Sequence, residues 1–198
     1  IENLISSLPE QYRSHYALMF KSRSLQESSF ENPRAILYGQ DGKFIVTFNG
    51  NFPQKSFHEI ETMEYNAENK SFIFREISFP NLSLAESKIS FSEANPPKCM
   101  TCHGNPARPI WDTQPLWPGA YGEKYNAPLS ILERVGLADF LKQQPTHPRY
   151  RYLAEIRNFS EKNFFNPDVR ARQNYNGSVR NAPNVELGLL LACRNQPA

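Results

Sequence analysis

Four apolar runs between residues 34 and 79, joined by polar turns, constrain the fold of this chain more than any other feature. Arg34–Tyr38 and Lys43–Phe48 are rich in Ile, Leu, Val, Phe and Tyr, and Gly39-Gln40-Asp41-Gly42 between them reads as a hairpin turn. Glu59–Tyr65 and Ser71–Phe79 form a second pair around Asn66-Ala67-Glu68-Asn69. In the last run Phe72 and Phe74 alternate with Ile73, Arg75 and Ile77, so both faces of that strand are partly covered. The pattern predicts an antiparallel sheet of about four strands. Ahead of it, Ser7 suits a cap, Pro9 suits a first turn, and Tyr12, Tyr16, Met19 and Phe20 recur at helical spacing. These predict an N-terminal helix over Leu8–Phe20.

The second part of the chain reads differently. Pro80–Pro97 is polar and extended, and Pro96-Pro97 delivers the backbone stiffly to Lys98. Gly104–Gly122 holds four prolines (Pro106, Pro109, Pro115, Pro118) with Trp111 and Trp117. Prolines stop regular structure and tryptophans require burial, so an ordered loop is expected there. Asn126 and Pro128 look like the cap and first turn of a helix over Leu129–Lys142. A weaker helix is expected over Tyr150–Phe164, and Asn184 caps a third over Val185–Cys193. The expected architecture is one α+β domain spanning residues 1–198. Residues 1–80 supply helix and sheet, and residues 81–198 supply a long loop segment and helices. Sixteen prolines and 13% aromatic residues suit a loop-rich domain with a core of rings.

Charge removes some partner classes. Twenty-two basic and 20 acidic residues leave a net charge of +2, without the positive excess or stripe that nucleic acid or an anionic membrane surface demands. No apolar run reaches the roughly 18 residues of a transmembrane helix, so no such segment is expected. The chain opens on Ile1 with neither a charged n-region nor an apolar h-region, which a removed signal peptide or a trimmed start would each explain. No nucleophile elbow or Gly-rich phosphate loop is present. The three cysteines are too few for a disulfide scaffold, and Cys193, in an apolar helix, is expected to be a small buried hydrophobe.

The chemistry-bearing motif is Cys99-Met100-Thr101-Cys102-His103. Two thiols three positions apart, on a turn entering a helix, can both reach the vinyl groups of a porphyrin as thioethers. The next residue then aims its imidazole at the iron. Gly104 keeps backbone close to the haem edge. Other CxxC chemistries compete. A structural zinc site needs two more ligands, such as Cys193 and a histidine, and the sequence has no second CxxC or HxxxH. A redox dithiol needs a preceding strand and a long following helix, whereas prolines stand on both sides here.

Through Cys99, Cys102, His103 and Gly104 the chain resembles c-type cytochromes. A longer signature is Asn95-Pro96-Pro97-Lys98-Cys99-Met100-Thr101-Cys102-His103-Gly104, with Arg108-Pro109-Ile110-Trp111, Trp117-Pro118-Gly119-Ala120-Tyr121-Gly122 and the upstream Asn32-Pro33-Arg34-Ala35-Ile36-Leu37-Tyr38-Gly39. It resembles a group of secreted bacterial proteins of unassigned function. The resemblance spans roughly residues 9 to 195 and implies a haem c fold unlike that of small soluble cytochromes.

These residues set the expectations for a site. One haem c is covalently held by Cys99 and Cys102, with His103 as proximal iron ligand. The methionines are Met19, Met63 and Met100, so His/Met ligation from a loop downstream of the motif is excluded. His147, flanked by Pro145 and Pro148, is the one histidine after the motif and a candidate sixth ligand, against an ordinary loop histidine. Met63, His15 and His58 compete with it, as does an open, water-bound, Lys- or Tyr-ligated position. Trp111 and Trp117 are candidate pocket walls or propionate partners, against plain core aromatics. Arg108, five residues past His103, suits a propionate, against a solvated surface arginine; Arg149 and Arg151 are further candidates. The leading function is a monohaem electron carrier, favoured over an enzyme, that exchanges electrons with a redox protein partner in the periplasm or at the cell surface. Rival readings are an open haem site for peroxide or gas sensing, an envelope binding protein with structural haem, and a thiol or zinc protein without haem.

Overall fold

A computed structural model describes residues 1–21, 27–39, 41–80, 88–109, 119–121 and 130–155. The chain starts with two short helices, α1 (Glu2–Ser7) and α2 (Glu10–Ser14). Six strands follow: β1 (Tyr16–Met19), β2 (Arg34–Tyr38), β3 (Phe44–Phe48), β4 (Glu59–Asn66), β5 (Ser71–Ser78) and β6 (Ser90–Phe91). They pair in chain order as an antiparallel meander. Helices α3 (Pro97–His103) and α4 (Ile131–Gln143) and a 3-10 turn at Tyr150–Tyr152 complete the described elements.

The fold is α+β with an N-terminal helix and an antiparallel sheet, but the sheet has six strands where four were expected. The four central strands match the apolar runs closely. The helix expected over Leu8–Phe20 is corrected: it stops at Ser14, and Tyr16–Met19 is the first strand. Leu8 and His15 are both extended, so the backbone leaves the helical region on either side of α2. All four β1 residues are buried, Tyr16 and Leu18 towards one face and Ala17 and Met19 towards the other. With no polar residue in the run, nothing reports a period of two. The other added strand, β6, is two exposed residues inside the polar stretch.

The sheet carries a core on each face. On the first, Leu18, Leu37, Val46, Phe48 and Ile60 pack with Ile5 of α1, Leu137 and Phe140 of α4, and Tyr150 and Leu153. Helix α4 begins two residues later than expected, at a capping box: Glu133 N–H donates to Ser130 Oγ (3.2 Å) and Ser130 N–H to Glu133 Oε2 (2.6 Å). Arg149, buried, ties this side together. Its Nε donates to Glu2 (2.8 Å), its Nη1 donates to the carbonyls of Asn49 (2.5 Å) and Phe57 (2.8 Å), and its guanidinium lies over the Phe57 ring. Within the described part of the helix expected over Tyr150–Phe164, only the 3-10 turn forms, and Leu153 is already extended. The expected Val185–Cys193 helix and its Asn184 cap lie outside the described residues.

On the second face, Ala17, Met19, Ile36, Tyr38, Ile45, Met63, Phe72 and Phe74 form the apolar floor. The end of the Pro/Trp segment returns to the outer edge of β1: Phe20 N–H and Lys21 N–H donate to Gly119 O (2.8 and 3.1 Å), and Tyr121 N–H to Leu18 O (2.9 Å). Gly119 has φ +90°, and a Cβ there would fall 2.0 Å from Lys21 O, so only glycine allows this approach. No helix among the described residues is long and apolar enough to cross a membrane.

Candidate functional site

Helix α3 is the motif itself, Pro97-Lys98-Cys99-Met100-Thr101-Cys102-His103. Pro96 is extended and Pro97 opens the first turn, where its missing N–H costs nothing. Gly104 ends the helix at φ +73°, a conformation that favours glycine, while its N–H still donates to Met100 O (2.9 Å).

The helix is docked on β4 and β5. Ser92 and Asn95 run the incoming chain along β5: Ser92 N–H donates to Glu76 O (2.8 Å) and Glu76 N–H to Ser92 Oγ (2.9 Å). Asn95 N–H donates to Phe74 O (2.8 Å), and Phe74 N–H donates to Asn95 Oδ1 (2.8 Å). Lys98 Nζ reaches back to Glu76 (2.5 Å) and Glu59 (3.3 Å). Cys99 and Met100 then pack against the cluster of Met63 and Phe74, while Cys102, one turn on, is exposed. Both thiols are free.

His103 is held on two sides. Its Nδ1 lies 2.7 Å from Arg108 O, and Arg108 N–H donates to His103 O (3.0 Å). A carbonyl can only accept, so Nδ1 carries the proton and the lone pair sits on Nε2. The imidazole stacks on Phe74 with centroids 4.0 Å apart and planes 30° apart. Burial lowers the His103 pKa from its ordinary value, against the opposing pull of the Arg108 carbonyl and Glu61. Burial pushes the Cys99 thiol up to about 11, helped by Glu61 and Glu76, so it is a thiol at neutral pH. A nucleophilic or redox CxxC needs the opposite shift.

Glu61 sits on the same sheet face, paired with the buried guanidinium of Arg34 (2.7 Å), which also donates to Thr47 Oγ1. Glu61 and Phe74 carry no local mark in the sequence as parts of this site. Asn95 and Arg34 did stand inside the longer signature, which was the available signal.

The other expected residues divide clearly. Arg108 is brought to His103 through its backbone, and its side chain is exposed. Met63 lies in the cluster that receives Cys99 and Met100. His147 is not brought to the motif. It stacks on Tyr150 (4.1 Å), part of the core on the opposite face, so the sheet stands between it and His103. Its Nδ1 accepts from Arg149 N–H and Tyr150 N–H (3.1 Å each), and burial, with Arg149 nearby, lowers its pKa to about 4. Arg149 is committed to the same side, and Arg151 to Tyr152. His15 Nδ1 contacts Gln11 O (2.8 Å) at the end of α2, and His58 lies edge-on to Phe52 and Phe57. Trp111, Trp117 and Cys193 lie outside the described residues.

Among the described residues no three His, Cys, Asp or Glu side chains converge on a point that would hold a metal ion. Cys99, Cys102 and His103 therefore do not form a three-ligand set for a single ion. What the helix presents is two thiols one helical turn apart, one partly buried and one exposed, followed by an imidazole with its lone pair on Nε2, donors of the kind that covalent haem takes. No protein-family model, curated protein or solved structure matches the chain.

Proposed function

We propose that this protein is a monohaem c-type electron carrier that works outside the cytoplasm with a redox protein partner. The observation that carries the reading is the state of His103. The Arg108 carbonyl fixes the proton on Nδ1 and Phe74 fixes the ring plane, an arrangement that leaves the Nε2 lone pair for iron on the residue directly after the two thiols. Cys99 and Cys102 are the thioether anchors, and α3 with the loop after it is the haem-bearing segment ahead of a helical C-terminal part. Bound there, haem supplies one-electron exchange at its iron. The chain's own residues hold the proximal imidazole, dock the anchor helix on the sheet, and offer Arg108 to a propionate; Trp111 and Trp117 stay candidates from the sequence alone.

Exposure favours a carrier over a purely structural haem. Cys102, Gly104, Asn105, Pro106 and Arg108 are all exposed, so the side of the motif that bears the second anchor is open to a docking protein. Covalent attachment of haem c takes place outside the cytoplasm, so a periplasmic or cell-surface location follows from this reading. One observation favours a second reading, an open site for peroxide or a diatomic gas: His147, the candidate sixth ligand, lies beyond the sheet.

The test is expression of the secreted full-length chain with a haem c maturation system, followed by intact mass and absorption spectra with and without carbon monoxide. A mass gain of one haem and a low-spin spectrum indifferent to carbon monoxide support the carrier. A haem that binds carbon monoxide selects the open site. An unchanged mass, beside a control cytochrome that matures, rejects the haem reading.

A further inference from the structure

We infer that Asn95 and Phe74 are positioning residues that set the rotation and tautomer of the His103 imidazole; as a role in haem binding this rests on the reading above. The segment from 95 to 103 leaves Phe74 and returns to it. At its start, Asn95 exchanges two hydrogen bonds with the Phe74 backbone, one from its own N–H and one to its side-chain Oδ1. At its end, the His103 ring lies on the Phe74 ring. Between these points stand only two prolines and a helix of seven residues that includes the second of them, a stiff path.

One strand residue therefore fixes both ends of the motif. The backbone of Phe74 sets where the motif helix starts, and its side chain sets how the last side chain of that helix turns. The Arg108 carbonyl can then meet Nδ1 at 2.7 Å because the ring is already oriented. The residue type at 95 is chosen twice over. Its φ is +55°, a region where asparagine is tolerated far better than most residues. Its short amide also supplies the acceptor that a strand partner would otherwise provide. Aspartate keeps the acceptor and much of the conformational tolerance; alanine keeps neither.

The experiment uses the full chain made with and without haem maturation, as wild type, F74L, N95A, N95D and, as a control on the opposite face, L137A. In the chain without haem, ring-nitrogen NMR of His103 at about pH 8, where the imidazole is neutral, reads the tautomer. Wild type, N95D and L137A are expected to show the Nδ1–H form, and F74L and N95A a mixture of both forms. In the haem-loaded chain, the haem-methyl shifts, which follow the plane of the axial imidazole, are expected to move in F74L and N95A and to hold in N95D and L137A. Wild-type tautomer and wild-type methyl shifts in both F74L and N95A overturn the inference. An L137A shift as large as theirs does so too, by making the effect one of general loosening. Failure of the haem reading is separate: it appears as wild type gaining no mass, and the tautomer measurement still decides the positioning role.

Discussion

The two faces of the sheet are built from alternate residues of the same strands, yet they are closed in different ways. On the face covered by α1 and α4, aliphatic and aromatic side chains meet one another, and Leu37, Val46, Phe48, Phe140 and Tyr150 are almost wholly buried. On the face covered by the motif helix, the floor of Met63, Phe72 and Phe74 is bordered by a polar band: Arg34, Thr47, Glu59, Glu61 and Glu76, with Lys98 reaching down from the helix. Burying such groups costs stability unless each is paired, and it gives little net energy when they are. A short helix docked on a purely apolar floor would be free to slide and turn. Docked on directional bonds it has one orientation, which is what a presented imidazole requires. The contrast assigns folding strength to one face and orientation to the other.

The largest test of that division is Phe140→Ala. Phe140 is fully buried, edge-on to Tyr150. Removing it should cost about 3–5 kcal/mol of unfolding free energy, read from a denaturant midpoint. The molecules that remain folded should keep the wild-type His103 environment. A perturbed His103 in the folded fraction would mean that the two faces are not independent.

Arg34→Leu makes the complementary cut. It removes the buried cation and leaves Glu61, partly exposed, and the Thr47 hydroxyl without it. The expected loss is smaller, about 1–3 kcal/mol, because Glu61 can turn towards water. Its effect on the motif should nonetheless exceed that of Phe140→Ala, since Glu61 acts on both Cys99 and His103. A cost with no change in the reactivity of Cys99 towards a thiol reagent would remove Glu61 from the account of the site.

How far the sequence carried depended on whether a signal was local. The strands from Arg34 to Ser78 were legible because alternation and turn residues sit within each run. β1 was not, because burial on both faces erased its alternation, and the aromatic spacing of Tyr12 and Tyr16 imitated a helix. The start of α4 was misplaced although its cap was in plain view. Ser130 and Glu133 form a capping box, and the proline at 128 drew the boundary two residues early. The motif was legible from five consecutive residues. Its supports were not, because Phe74 and Glu61 reach it from strands tens of residues away and nothing in their own neighbourhood marks them. His147 failed as a partner for His103 for the same reason: flanking prolines tell how stiffly a ring is held, and only the topology tells on which side of the sheet.

The smallest predicted effect concerns that histidine. His147 Nδ1 accepts two backbone N–H bonds and its ring lies on Tyr150, so the folded protein resists its protonation. Burial and the Arg149 guanidinium lower its pKa to about 4, with Glu2 pulling weakly the other way. The unfolded chain protonates this group near its ordinary value of about 6.5. Between those values the unfolded state binds the extra proton, so stability is complete above about pH 6.5 and declines as pH falls towards 4. The ring is only partly buried, and solvent screening keeps the loss modest. His147→Gln, which has no proton to gain and can still accept with its amide oxygen, should flatten the denaturant midpoint against pH across that window. An equal slope in both proteins would show that the acid sensitivity lies elsewhere, and the carboxylates around Lys98 and Arg34 on the motif face would be the next groups to vary. A flattened slope with an unaltered His103 would place this sensitivity on the packing face and leave the motif face outside it.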